Sequence, residues 1–331
     1  MRAVVVQSFG GPEVLVVHEV PDPVPGEGEM LVRVEVSGVN YADTHTTENT
    51  YLAPQQLPLV PGAEVVGRVV RTGPGTDESM LGRRVVALVP SGGYAELAVV
   101  PVATTVEIGE DLPGPEACAL VLQGVTAWHL LRSSTRMATG EAVVVHSAAG
   151  GVGTVALQLA RQWNAGRVIA SASTPDKRAV VADLGADVVV DVNAAADAGG
   201  AGAVRDVLMS ANHGAGVDVV LEMTGGDVFN GSYLALAPLG RLVVFGLASR
   251  RAGRSIAPVD LMASSRTVAG FWLQHALARG GLAAAMDELL SMTRSGLLRP
   301  VLGGEYALAD AALAHGDLRS RRTTGKVVLR A

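Results

Sequence analysis

The sequence predicts an α/β protein of two domains, and three observations carry that reading. Its 331 residues exceed what a single core of about 150 residues needs. Short strand-like segments fill residues 1–120, and strands alternating with helices follow. One stretch, 142–161, runs from an apolar strand through a glycine-rich turn into an amphipathic helix.

The β-rich part comes first. Residues 30–37 alternate apolar and polar, the period of a half-buried strand. Segments 65–70 and 84–89 are more continuously apolar, and Pro/Gly clusters at 21–28, 73–75 and 90–93 separate them. From about residue 115 the pattern changes: 116–131 has helical spacing, and strands are predicted at 142–147, 167–172, 188–191, 217–222 and 241–246. A helix over 152–164 follows the first of these. Such alternation implies crossover units and a doubly wound parallel sheet. The Ala/Gly stretch 194–203 reads as a surface loop. The tail, 306–331, offers a short helix and a last strand at 326–329, which would complete the β domain and make it discontinuous. The predicted domains are 1–120 with 275–331, and 121–274.

Composition narrows the function. Hydrophobic residues make up 49%, too many for a disordered chain. No uninterrupted apolar run reaches the roughly 18 residues of a membrane span. A net charge of −6 argues against broad attraction to nucleic acid or anionic membranes. Cys118 is the only cysteine, so neither a disulfide framework nor a multi-cysteine zinc site can form. The seven histidines are scattered, without an i, i+4 pair on a predicted helix. The N-terminus lacks the apolar stretch of a secretion signal, and the expected location is cytoplasmic. Basic residues comprise 24 arginines and two lysines, Lys177 and Lys326.

The glycine-rich turn places Ala148, Gly150 and Gly153 where a dinucleotide fingerprint asks for three glycines. Gly150 would admit a pyrophosphate to the backbone of 149–153 (Ala149, Gly150, Gly151, Val152, Gly153), and Gly153 would let helix and strand pack closely. The N–H groups and dipole of the helix start favour phosphate. NAD-preferring enzymes carry a carboxylate at the end of the next strand, where this chain has Ala172. Ser171, Ser173 and Thr174 follow the same strand with Lys177 and Arg178. Hydroxyls and cations suit a 2′-phosphate, so the pattern favours NADPH.

With these residues in hand, the sequence resembles the zinc-independent quinone oxidoreductase (zeta-crystallin-like) branch of the medium-chain dehydrogenase/reductase superfamily. Its markers are Gly38-Val-Asn40 with Asp43, Pro61-Gly-Ala-Glu-Val-Val-Gly67, Gly92-Gly-Tyr-Ala-Glu96, Gly124-Val-Thr-Ala127, the nucleotide loop, and Thr324-Gly-Lys326. The resemblance implies a GroES-like β domain plus a Rossmann domain, an active site in the cleft between them, and a homodimer. Zinc-dependent relatives have a cysteine near Asn40 and a histidine where this chain has Ala63, so no metal is expected.

The resemblance also implies roles. Asn40 and Tyr51 would lie near nicotinamide and substrate, with His45 standing where the family often has a second tyrosine. Gln123 and Thr126 would lie near the nicotinamide-side phosphate and ribose. Met223, Thr224, Phe245 and Gly246 follow strands, at the sheet edge where ligands bind. Phe271, Trp272 and Leu273 would flank the nicotinamide, and Arg321 and Lys326 would reach the cofactor. Asp43, Glu64, Tyr94 and Glu96 read as structural hydrogen-bonding groups. Hydride delivery to an already electrophilic carbon, in a quinone or an α,β-unsaturated carbonyl, needs no Lewis acid. Two alternatives stay open: a trans-acting enoyl-thioester reductase, and a non-catalytic NADPH-binding protein.

Overall fold

The computed structural model describes residues 1–331. They divide into two units: Met1–Gln123 with Gly281–Arg294 and Pro300–Ala331, and Gly124–Gly280 with Ser295–Arg299.

The first unit is built on a seven-stranded sheet. Its path runs Leu302–Ala307, Lys326–Arg330, Glu29–Val39, Glu64–Thr72, Arg84–Leu88, Thr105–Glu107, with Leu97–Pro101 pairing to Glu29–Val39. Alternation along Glu29–Val39 turns Met30, Val32 and Val34 into one core with Val65, Val69, Val85 and Val100. One edge of that long strand is shared. Leu97–Pro101 takes its first half, and Lys326–Arg330 takes its end, with Val327 opposite Val39. The closing strand therefore belongs to the N-terminal sheet. A second core gathers Val4, Val6, Leu59, Tyr94, Val327 and Leu329 beneath the helix Ala311–Arg319.

The second unit is a Rossmann sheet of six parallel strands. Their order is Val188–Val190, Arg167–Ser171, Ala142–Val145, Val217–Glu222, Leu236–Val244, Thr267–Gly270. The chain enters at Ala142–Val145, winds outward on one side, then crosses to the other. The switch point lies at the carboxyl end of that first strand, where ligands bind in such sheets.

Two expectations need correction. Residues 194–203 lie within the helix Val192–Ala211 rather than in a loop; its helix is broken only at Gly199 and Gly200, the latter at φ +61°. Alanine-rich sequence favours helix, and the paired glycines supply the break. The 116–131 helix is not uniform. It runs as Gly114–Ala119, a π turn Leu120–Gly124, Val125–His129 and a second π turn Leu130–Ser134. Single π turns often mark functional positions, and Gln123 sits in the first. No helix is long and apolar enough to cross a membrane.

Candidate active and cofactor site

In the first unit, strand pairing brings four segments to one buried polar cluster. Asn40 begins the helix Tyr41–Thr47, and its N–H donates to Asp43 Oδ2 at 2.9 Å. Asn40 Nδ2 donates to Glu64 Oε1 at 2.8 Å, while Asn40 Oδ1 accepts from Gln123 Nε2 at 3.0 Å and from Lys326 Nζ at 3.1 Å. Lys326 also forms an ion pair with Glu64, and both side chains have zero exposure. Gly38 makes room for it: a Cβ there would overlap the Glu64 carboxylate and the Lys326 ammonium. The glycine of Gly-Val-Asn thus has a steric reason.

A second network lies beside the first. Tyr94 donates to Asp43 Oδ2 at 2.9 Å, so its oxygen is left to accept from His315 Nε2 at 3.1 Å. Burial raises the Asp43 carboxyl to about 6, against hydrogen bonds from Asn40 and Tyr94 that lower it. Burial lowers His315 to about 4, so it is neutral at physiological pH. Tyr94 and Asp43 are structural groups here, since each is spent on a neighbour.

His45 is buried on the helix Tyr41–Thr47, with Nδ1 3.1 Å from Thr50 Oγ1. Its ring lies 5.7 Å from that of Tyr41 and 6.0 Å from that of Tyr51. Tyr51 is half-buried, and burial followed by the Asp43 charge holds its phenol above the usual value. Asn40, His45 and Tyr51 therefore belong to one short stretch of chain.

In the second unit, the nucleotide loop leaves the switch point. Ser147 adopts φ +48°, and Gly150 N–H donates to Ser147 O at 2.8 Å, closing the turn. The two loop glycines have different causes. A Cβ at Gly153 would stand 2.6 Å from Ala148 Cα and Ser147 O, so packing of helix on strand demands glycine there. A Cβ at Gly150 would meet only Ser147 O, at 3.2 Å, and Gly150 has an ordinary φ of −80°. That contact is tight but well short of the overlap at Gly153, whereas a phosphate resting on the backbone would leave no room for a side chain at all. Gly150 also caps the helix Gly151–Gln162 without a side chain, leaving the first-turn N–H groups for an anion. Ala149 and Val152 contribute backbone here.

Around the loop, Thr174 caps the helix Pro175–Asp183 by accepting from Lys177 N–H at 3.3 Å. Ser173 and Lys177 lie at this turn. Arg178 is committed elsewhere, to Ala172 O at 3.4 Å and Asp191 Oδ2 at 3.3 Å. At the end of Val217–Glu222, Glu222 Oε1 accepts from Thr224 and Gly225 N–H at 2.8 and 3.0 Å. Glu222 Oε2 is buried with no partner, and burial lifts the carboxyl to about 7. The 245–249 loop is laced to this turn: Ala248 and Ser249 N–H donate to Met223 O and Thr224 O at 2.8 and 2.9 Å. A Cβ at Gly246 would press on Met223 Cβ at 3.1 Å. Phe245 N–H donates to Glu222 O. Thr126 is buried in Val125–His129. Phe271 stacks on His129 at 6.0 Å, and Trp272 caps Leu273–Leu277.

The structure places one predicted cofactor residue elsewhere. Lys326, expected on the cofactor, is fully buried against Asn40 and Glu64; a lone ammonium in a sheet core requires such a counter-ion. Arg321 is an exposed residue at φ +56° just beyond Ala311–Arg319. Sequence reasoning missed Glu222 and the buried His146, whose Nε2 lies 2.7 Å from Ser232 Oγ and which burial lowers to about 4. A polar residue ending each apolar strand was the available signal.

Comparisons with known proteins agree with this architecture. Residues 26–110 match the alcohol dehydrogenase GroES-like domain family, and 151–291 match the zinc-binding dehydrogenase family. A quinone oxidoreductase of Pseudomonas aeruginosa is 33% identical over 324 residues, 97% of each chain. That of Rattus norvegicus is 32% identical over 332 residues, 99% of this chain and 97% of the relative. An Escherichia coli quinone oxidoreductase solved with NADPH superposes with a TM-score of 0.92 at 29% identity, covering all of both chains. A mycobacterial protein solved with NADPH gives 0.93 at 36%, again over both full chains. GroES-like and Rossmann units, the Gly-Val-Asn cluster and full-length similarity converge: this chain belongs to the quinone oxidoreductase branch of the medium-chain dehydrogenase/reductase superfamily.

Proposed function

We propose that this chain is an NADPH-dependent oxidoreductase that reduces a quinone or an activated α,β-unsaturated carbonyl without zinc. The observation that carries the cofactor reading is Gly150, a glycine the fold requires far less than Gly153, at the point where a pyrophosphate would touch the backbone. When bound, the reduced nicotinamide supplies the hydride. The chain's own residues supply the rest. N–H groups of 151–153 would hold the pyrophosphate, and Ser173 with Lys177 would take the 2′-phosphate. Met223, Thr224, Phe245 and Gly246 form the laced turns at the carboxyl edge of the sheet that would receive the nicotinamide half. Asn40 would donate to the substrate oxygen as it gains charge. Tyr51, its phenol raised by burial, stays protonated at neutral pH and can give a second hydrogen bond.

The zinc-free reading is supported by residue chemistry. Asn40 and Ala63 offer no imidazole or thiolate, and the Asn40 amide is already engaged by a lysine, a glutamate and a glutamine. Burial raises the Cys118 thiol far above its usual value, which disfavours the thiolate a metal needs.

NADPH oxidation against quinones, enals and enoyl thioesters tests the proposal. Turnover of quinones or enals is expected, undiminished by a chelator, with no zinc at unit stoichiometry. Preference for thioesters would replace the quinone or enone substrate with an acyl one. NADPH binding without turnover on any class would leave a binding protein.

A further inference from the structure

The Asn40 carboxamide has two chemically different edges, and its neighbours decide which one points where. Its oxygen accepts from Gln123 Nε2 at 3.0 Å and Lys326 Nζ at 3.1 Å, and its nitrogen donates to Glu64 Oε1 at 2.8 Å. Turning the amide over would set its N–H groups against an ammonium and an amide donor, and its oxygen against a carboxylate. All three contacts would become repulsive. One hydrogen on Nδ2 remains to be given.

We infer that the buried Lys326–Glu64 pair is a positioning device that locks Asn40 as a hydrogen-bond donor for the reacting oxygen of the substrate. The inference rests on the reductase reading above and deepens it. When hydride adds to the conjugated carbon, the displaced π pair moves onto the carbonyl oxygen, and a solvent proton later completes the reduction. A donor is what that oxygen needs, and an amide flipped the other way would oppose it. The ammonium on Oδ1 also draws charge from the amide and strengthens its N–H. The geometry explains three sequence features together: a glycine at 38, a lysine in a lysine-poor chain, and a glutamate beginning the strand Glu64–Thr72. A pair kept only to hold the sheet would not need to meet on one amide.

The double variant Lys326→Met/Glu64→Gln removes both charges at once, so no lone buried charge remains. NADPH affinity should stay within about twofold, because the nucleotide loop is untouched. With a quinone that the unaltered protein reduces, kcat should fall about 30-fold, short of what deleting an oxyanion donor outright costs. Asn40→Ala, which deletes the donor outright, should cost about 100-fold alone, yet no more than about threefold when added to the double variant. An unchanged kcat in the double variant, or losses that multiply, would overturn the lock. A measurement without any variant covers the case in which the double variant does not fold. In protein labelled with 15N at asparagine, the two Asn40 Nδ2 hydrogens should exchange with solvent at clearly different rates, one being held by Glu64. Equal rates would overturn the lock whatever the activity. Absence of turnover by the unaltered protein on quinones, enals and thioesters would instead overturn the reductase reading and the catalytic use of the lock, while the exchange rates still judge the lock itself.

Discussion

Lys177 and Arg178 are adjacent cations with different commitments. Arg178 donates to Asp191 and to the Ala172 carbonyl, whereas Lys177 is the third residue of the helix Pro175–Asp183, its N–H donating to the capping Thr174. A charge-assisted bond to a 2′-phosphate contributes about 1.5–3 kcal/mol. Lys177→Ala should therefore weaken NADPH by at least about tenfold while leaving NADH nearly unchanged. Arg178→Ala should act mainly on stability, through the lost Asp191 pair, and shift the NADPH/NADH ratio by less than about threefold. Titration of each variant with both coenzymes separates the two. Equal affinity of the unaltered protein for NADPH and NADH would refute the phosphate assignment at Ser173 and Lys177.

At the scale of the element, the strand–turn–helix from Ala142 to Gln162 carries the clearest test. Gly153→Ala drives a methyl into the backbone at Ala148, and overpacking of that kind costs about 1–3 kcal/mol. Gly150→Ala meets only one carbonyl oxygen at 3.2 Å and should change stability by less than about 1 kcal/mol. Its NADPH affinity should nevertheless fall at least about tenfold, because the methyl occupies the place of the pyrophosphate. Urea unfolding beside coenzyme titration reads the two effects apart. This element was legible in the sequence because its signals are local: an apolar strand, glycines at fixed offsets and a helical period. The helix Val192–Ala211 was not, since a pair of glycines reads as a loop when tertiary packing of Val204 and Leu208 outweighs it. The π turns at 120–124 and 130–134 leave no periodic trace at all. The Asn40 cluster was legible only as separate candidates. Lys326 and Asn40 are 286 positions apart, and the antiparallel pairing that joins them cannot be read from spacing.

For the molecule as a whole, buried ionisable groups set the pH dependence of stability. Asp43 and Glu222, raised to about 6 and about 7, hold protons in the folded state that the unfolded chain has released. Stability therefore falls as pH rises through their windows. His146 and His315, both lowered to about 4, act in reverse: the unfolded chain binds the extra proton, and stability rises up to the ordinary imidazole value of 6.5. Two falling and two rising contributions nearly cancel below about pH 6. Between about pH 6 and 8 the Glu222 contribution falls by roughly 1.4 kcal/mol, and the two histidine contributions, which rise through 6.5, offset most of it. Glu222→Gln keeps an acceptor for Thr224 and Gly225 N–H and removes the falling contribution, so between about pH 6 and 8 its stability should gain roughly 1.4 kcal/mol relative to the unaltered protein. Urea midpoints of both proteins across this range would show it, and a difference between them that does not change with pH would refute the Glu222 assignment.

The Lys326–Glu64 pair also has a consequence for biosynthesis. Its partners are separated by 262 positions, and the entire Rossmann unit is encoded between them. At translation rates of about 5–20 residues per second, roughly 13–50 s elapse between the appearance of the carboxylate and of its counter-ion. During that interval the Glu64 strand can pair with its sheet neighbours, but its acid side chain has no ammonium to neutralise it. The ribosome must deliver the nucleotide-binding half before the other half can finish its own core, so completion of the fold and completion of the polar cluster become a single late event.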